Sequence, residues 1–137
     1  AGANVHATDK DGNKPLHRAV WNGHADVSRV LIGAGTDVEE TDKYGSTPLY
    51  LSAHKGHADV GQVLVEAGAI VRATRHGYTP LHISAAHGHV GASQMLIGAG
   101  GDVYAKTDED GSTPLHLSAE HGHMEVSQAL LRAGTNV

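Results

Sequence analysis

Twelve histidines stand among 137 residues, with fifteen acidic side chains and no cysteine. Imidazoles and carboxylates in such number could bind a metal or move protons. His87-Gly88-His89 and His121-Gly122-His123 come nearest to a zinc pair. A structural zinc needs a closed tetrahedral set of ligands, and no such set is visible in the spacing. Each pair also straddles a helix-ending glycine, which predicts diverging rings. No metal or other cofactor is therefore expected. Ser, His and Asp are plentiful, but there is no Gly-x-Ser-x-Gly elbow. No phosphate loop is present, and Gly98-Ala99-Gly100-Gly101 reads as a helix end. Since no nucleophile, base and orienting group can be named together, no catalytic residue is assigned and no enzyme is expected.

Seven of the histidines fall into two groups. His17, His82 and His116 follow a Pro-Leu pair, and His24, His57, His89 and His123 follow a glycine. Recurrence at fixed places predicts a framework role, with ring nitrogens serving loop backbone groups within and between units. The period behind them is clear. Pro15, Pro48, Pro80 and Pro114 are spaced by 33, 32 and 34 residues. From each of them to the glycine of the next Ala-Gly pair is always 20 residues. Length therefore varies only in the stretch between that glycine and the next proline, which predicts a turn there and constant helices elsewhere.

Each unit reads as helix, turn, helix and finger. Thr47, Thr79 and Thr113 precede the proline as N-caps. The first helices carry small or apolar faces: Leu16, Ala19, Val20; Leu49, Ser52, Ala53; Leu81, Ser84, Ala85; Leu115, Ser118, Ala119. The Gly-His glycine stops them in a left-handed cap. Asp26, Asp59 and Glu125 open the second helices, where a negative charge suits the dipole. Their predicted buried stripes are Val27, Val30, Leu31; Val60, Val63, Leu64; Ala92, Met95, Leu96; and Val126, Ala129, Leu130. Ala-Gly ends each, and turns follow at Asp9–Gly12, Asp42–Gly45 and Asp108–Gly111.

Thr79-Pro80-Leu81-His82 and Thr113-Pro114-Leu115-His116, each followed by Ala and Gly-His, resemble the ankyrin repeat signature. The resemblance runs from Gly2 to Val137. It implies one all-α repeat solenoid over residues 1–137, an ankyrin-type stack of helix-turn-helix units with β-hairpin or loop fingers. The units are approximately 2–34, 35–67, 68–99 and 100–133, with a partial finger at 134–137. Such stacks rest on nearest-neighbour contacts and end in atypical caps. No distinctive cap is visible, so the chain reads as an excised or designed array. It departs from the pattern at Lys14, which replaces a capping Thr at a cost of about 1 kcal/mol. Tyr50 replaces the histidine, Gly61 and several serines take apolar positions, and the third finger is short and lacks its Asp.

The composition narrows the partners. A formal net charge of -5 argues against a non-specific grip on nucleic acid. There is no apolar run long enough for membrane insertion and no visible leader. The absence of cysteine fits the cytoplasm or nucleus. The resemblance implies that another protein is bound by a monomer, on a concave groove lined by fingertips and by the residues before Gly-His. In the first unit these are Lys10, Asp11, Asn13, Trp21 and Asn22. The second gives Lys43, Tyr44, Ser46, His54 and Lys55. The third gives Arg75, His76, Tyr78, Ala86 and His87, and the fourth Glu109, Asp110, Ser112, Glu120 and His121. Trp21, Tyr44 and Tyr78 are the candidate anchors, although Trp21 could instead pack over the first finger. Lys43, Lys55, Arg75 and His76 make the middle basic, whereas Asp108, Glu109, Asp110 and Glu120 make the last quarter acidic. That asymmetry predicts one binding direction. The rival reading is a structural spacer in a longer repeat protein, or an engineered binding or stability scaffold.

The third unit gathers local costs. Besides its short finger, it has Gly91 where its neighbours carry an acid, and Ala92 in place of Val. Amides from Arg72 to Leu96 are expected to exchange faster than those from Val38 to Leu64 in native-state hydrogen exchange. The double change Gly91→Asp with Ala92→Val is expected to raise Tm. Uniform protection and no gain in Tm would contradict this reading.

Overall fold

The computed structural model describes residues 2–135, the side chain of Thr135 excepted. Its helices are α1 (Pro15–Trp21), α2 (Ala25–Gly33), α3 (Pro48–Lys55), α4 (Ala58–Glu66), α5 (Pro80–Ala86), α6 (Val90–Gly98), α7 (Pro114–Glu120) and α8 (Met124–Thr135). Each first helix packs on its own second helix and on the first helix of the next unit. The contacts α1 with α3, α3 with α5 and α5 with α7 make one layer, and α2 with α4, α4 with α6 and α6 with α8 make the other. This is the all-α repeat stack that the period predicts. No helix among the described residues is long and apolar enough to cross a membrane.

The helix ends follow from local chemistry. Thr47, Thr79 and Thr113 accept the third-residue amide at 3.2, 3.2 and 3.3 Å. Lys14 gives no such bond; instead the His17 ring accepts the Lys14 amide at 2.9 Å. Gly23, Gly56, Gly88 and Gly122 have φ of 77, 76, 72 and 74°, the left-handed region that lets the chain reverse into the second helix.

Three expectations need correction. The last Ala-Gly does not end its helix: α8 runs on through Ala133 and Gly134 to Thr135. Gly35, Gly68 and Gly100 turn left-handed there, whereas the Gly134 carbonyl accepts the Tyr104 hydroxyl at 2.9 Å, tying down the last turn. Of the partial finger expected at 134–137, Asn136 and Val137 lie outside the described residues, as does Ala1 of the first Ala-Gly pair. Second, Val27 and Val30 are 50% and 71% exposed, while Val60 and Val63 at the same positions are 0% and 4%. The first pair has no earlier unit packed on it among the described residues, so its stripe remains open. At the other end Ala119 is exposed for the same reason.

The third correction concerns the fingers. The one isolated ladder pair among the described residues is Arg75 with Tyr78, bonded at 2.9 and 3.0 Å. His76 and Gly77 between them have φ of 52 and 82°, the two-residue hairpin whose twist matches its strands. The short finger is thus a different turn type rather than a damaged one. In the first two fingers one aspartate closes a loop. Asp9 accepts the Asp11 and Asn13 amides, and Asp42 those of Tyr44 and Ser46, all at 2.9 Å. In the fourth, Thr107 takes that place, accepting the Ser112 amide at 3.0 Å and donating to Asp110 at 2.7 Å. The turn expected to open at Asp108 therefore opens one residue earlier and absorbs the extra length.

Gly61 also acquires a reason. Ser28, Ser93 and Ser127 occupy the same position in their units, and all are wholly or partly buried. A Cβ at Gly61 would collide with the Met95 methyl, which reaches across from the next unit. Small here and large there form one exchange of volume. Gly61→Ser is expected to cost about 1–3 kcal/mol by overpacking, and adding Met95→Val is expected to recover part of it. Urea unfolding of the two single variants and the double variant measures the coupling; strictly additive losses would contradict it.

Candidate functional site

The groove is built on histidine bonds between units. His57 Nε2 donates to the Trp21 carbonyl at 3.2 Å, His89 Nε2 to His54 at 2.9 Å and His123 Nε2 to Ala86 at 3.0 Å. A carbonyl can only accept, so Nε2 carries the hydrogen in each. The second set ties helices to the next finger. His17 Nε2 reaches the Glu40 carbonyl at 2.7 Å, and His82 Nε2 the Ala105 carbonyl at 2.9 Å. Their Nδ1 atoms accept the Lys14 and Thr79 amides at 2.9 and 3.0 Å. Tyr50 cannot make this bond. The third finger reaches back instead, with the Arg75 guanidinium 5.4 Å from the Tyr50 ring centre and Arg75 Nε donating to the Tyr44 carbonyl at 3.0 Å. The framework role of these histidines is thus visible bond by bond; His116, exposed at one end of the stack, keeps the bond within its own unit, its Nδ1 accepting the Thr113 amide at 3.0 Å, and His24 is exposed at the other end.

The rings of the two His-Gly-His pairs do not diverge. His87 and His89 lie 5.9 Å apart at 25°, and His121 and His123 6.2 Å apart at 32°. The left-handed glycine turns the chain so that both rings rise on one side. In each pair the second ring is anchored, Nε2 of His89 and His123 donating to a carbonyl of the preceding unit. Among the described residues no three of His, Asp and Glu converge as a metal set.

One cavity of about 450 Å³ opens between the first two units and the third finger. Of the residues predicted to face the groove it gathers Asn13, Trp21, Asn22, Tyr44, Ser46, His54 and Arg75. Trp21 packs on the second unit rather than over the first finger. The His54 ring meets it edge-on at 5.6 Å and the Lys55 ammonium lies 4.7 Å over its face, leaving it 39% exposed. Tyr44 is 58% exposed beside Arg75. Tyr78 turns its ring onto His82 at 5.9 Å and is half-buried. Ser46 is only 1% exposed, so it shapes the floor and offers little contact.

The other predicted residues lie outside this cavity. Lys10 and Asp11 are exposed at the first fingertip, with Lys43 3.8 Å from Asp11. His76, Glu109, Asp110, Glu120 and His121 are exposed, while Ala86 and Ser112 are half-buried. Sequence reasoning missed His17, Arg18, Asp42 and Leu51 in the wall. The signal existed for two of them: Arg18 lies one helical turn before Trp21, and Leu51 one turn before His54, on the same face.

Charges in and around the wall are set by neighbours. Asp9 is pulled down to about 2, first by the Asn13 amide and then by Arg18, whose guanidinium lies 2.6 Å away. His54 is held below the ordinary imidazole range by burial first, then by the charges of His87, Arg75 and Lys55. His87, stacked on His54 at 4.6 Å, is lowered by burial and then by His89 and His121. Burial also lowers His82, outweighing its carbonyl bonds. All three take a proton more readily when unfolded, so the stability they contribute is present above the unfolded value of about 6.5 and is lost as pH falls below it. Tm is expected to fall from neutrality to about pH 5, and His54→Gln with His87→Gln to flatten that fall. Calorimetry across the range checks it; an unchanged slope in the double variant would contradict the assignment to this stacked pair.

The comparisons agree with this geometry. The family described as ankyrin repeats (3 copies) matches residues 29–107 and 70–137, and the one described as ankyrin repeats (many copies) matches residues 1–49. No curated protein matches the chain. With family matches running through all four helix pairs, the chain belongs to the ankyrin repeat family.

Proposed function

We propose that the chain is a monomeric protein-binding module that takes its partner on the concave side, across fingertips and first helices, with no catalytic step of its own. Ankyrin repeats are in general protein–protein interaction modules. The observation that carries the reading here is that Trp21 and Tyr44, 39% and 58% exposed, flank one cavity of about 450 Å³. Large aromatics mounted beside a cavity supply contact area at small entropic cost. Both are held in place, Trp21 by the His57 bond to its carbonyl and Tyr44 by the Arg75 bond to its own. Layers about 10 Å apart give a groove of roughly 40 Å, enough for about 800 Å² on each partner. A cysteine-free chain needs no oxidising compartment, which supports the cytoplasm or nucleus as its place of work.

A second reading, a spacer within a longer stack of such units, draws support from the exposed apolar residues of the end faces, Val27 and Val30 on one and Met124 and Leu131 on the other. Trp21→Ala separates the two. On the groove reading it weakens a bound protein partner by about 2 kcal/mol, roughly thirtyfold in Kd, with the circular dichroism unchanged. A loss of less than about tenfold, measured calorimetrically, would remove Trp21 from the interface.

A further inference from the structure

Among the described residues, two cations expected in the groove have aromatic neighbours but no carboxylate at ion-pair distance. Arg75 stands in the cavity wall, its guanidinium 5.8 Å from the Tyr44 ring centre and 5.4 Å from that of Tyr50. Lys55 lies 4.7 Å over the Trp21 ring. The described ion pairs join Lys14 to Glu40, Arg18 to Asp9, Arg29 to Asp26, Lys43 to Asp11 and Arg72 to Asp102, and include neither residue. The wall's one carboxylate, Asp42, turns Oδ1 to the Tyr44 and Ser46 amides. In a chain of formal net charge -5, unneutralised positive charge is thus concentrated beside the apolar surfaces of Trp21, Tyr44 and Leu51.

Resting on the groove-binding reading, we infer that this cavity receives an acidic peptide segment: a large apolar side chain fills the space between Trp21 and Tyr44, and an adjacent Asp or Glu carboxylate is bound by Arg75, with Lys55 beside it. A guanidinium bound through Nε to the Tyr44 carbonyl is pre-positioned, so little side-chain freedom is lost when its outer N–H groups meet a carboxylate. A cavity of about 450 Å³ suits one or two side chains rather than a whole helix. The partly desolvated setting strengthens the charge contact.

The test selects displayed random dodecapeptides on the folded chain and on Trp21→Ala. It then measures the terminally blocked peptide Gly-Ser-Glu-Phe-Glu-Ser-Gly against its Gln-for-Glu twin, using the fluorescence of the single tryptophan. The expected result is enrichment of Asp or Glu next to a large apolar residue. The Glu peptide should bind at least about tenfold more tightly than the Gln twin, and Arg75→Gln should abolish that preference. Because Arg75 also ties the third finger, Lys55→Gln serves as the second variant; it is exposed, and a drop of about threefold is expected. Neutral or basic peptides that need Trp21 but bind Arg75→Gln and Lys55→Gln as well as the parent would overturn the acidic assignment and leave the groove reading standing. No enrichment over Trp21→Ala would overturn both.

Discussion

The bond from a Gly-His imidazole to a carbonyl of the preceding unit is the contact on which the groove depends. It needs an imidazole whose hydrogen sits on Nε2 and a glycine that lets the ring approach. A Cβ at Gly56 or Gly88 would lie 2.5 Å from the next unit's His89 or His123 ring. The same glycines supply the left-handed turn between helices. One residue type thus meets two demands at one position, and substitution fails both. The carbonyls reached belong to Trp21, His54 and Ala86, three of the positions expected to face the groove. The bond that sets the spacing of the units therefore also fixes the backbone from which the groove side chains project.

From that register follows the chemistry of the concave face. Trp21, His54 and His87 come from three successive units yet touch in sequence, at 5.6 and 4.6 Å. The crowding holds His54 and His87 below the ordinary imidazole range, so protonation of either ring is disfavoured; for His54 the neighbouring charges of His87, Arg75 and Lys55 add to the effect of burial. Where Tyr50 interrupts the histidine pattern, Arg75 reaches back from the next finger and brings a cation to the cavity. A departure from the repeat thereby creates the local feature that distinguishes this groove.

Much of this was legible in the sequence because it is local. Threonine caps, glycine stops and the Asp9 and Asp42 turns depend on a few neighbouring residues, and they stand where the period put them. What escaped depends on contacts between units. Val27 and Val60 are the same residue at the same position, and only a neighbour buries the second. The fit of Gly61 to Met95 joins residues of different units. The fourth finger opens at Thr107 because a hydroxyl there can accept an amide as Asp9 does, an equivalence that residue identity hides. The ring directions in His87-Gly88-His89 follow from the glycine dihedral, so the divergence expected across a helix-ending glycine is reversed by the turn itself. Arg18 and Leu51 stand one helical turn before Trp21 and His54, on the same face as those helix-end residues.

The most direct measurement of the account is the tautomer and hydrogen bonding of His57, His89 and His123, read from long-range ¹⁵N–¹H correlations at neutral pH. The account predicts the Nε2–H form for all three, with slowed exchange of those ring hydrogens and a through-bond coupling to the carbonyl carbons of Trp21, His54 and Ala86. Rings that carry the hydrogen on Nδ1, or that interchange freely between the two forms, would contradict the claim that these bonds set the register of the stack and the placement of its groove.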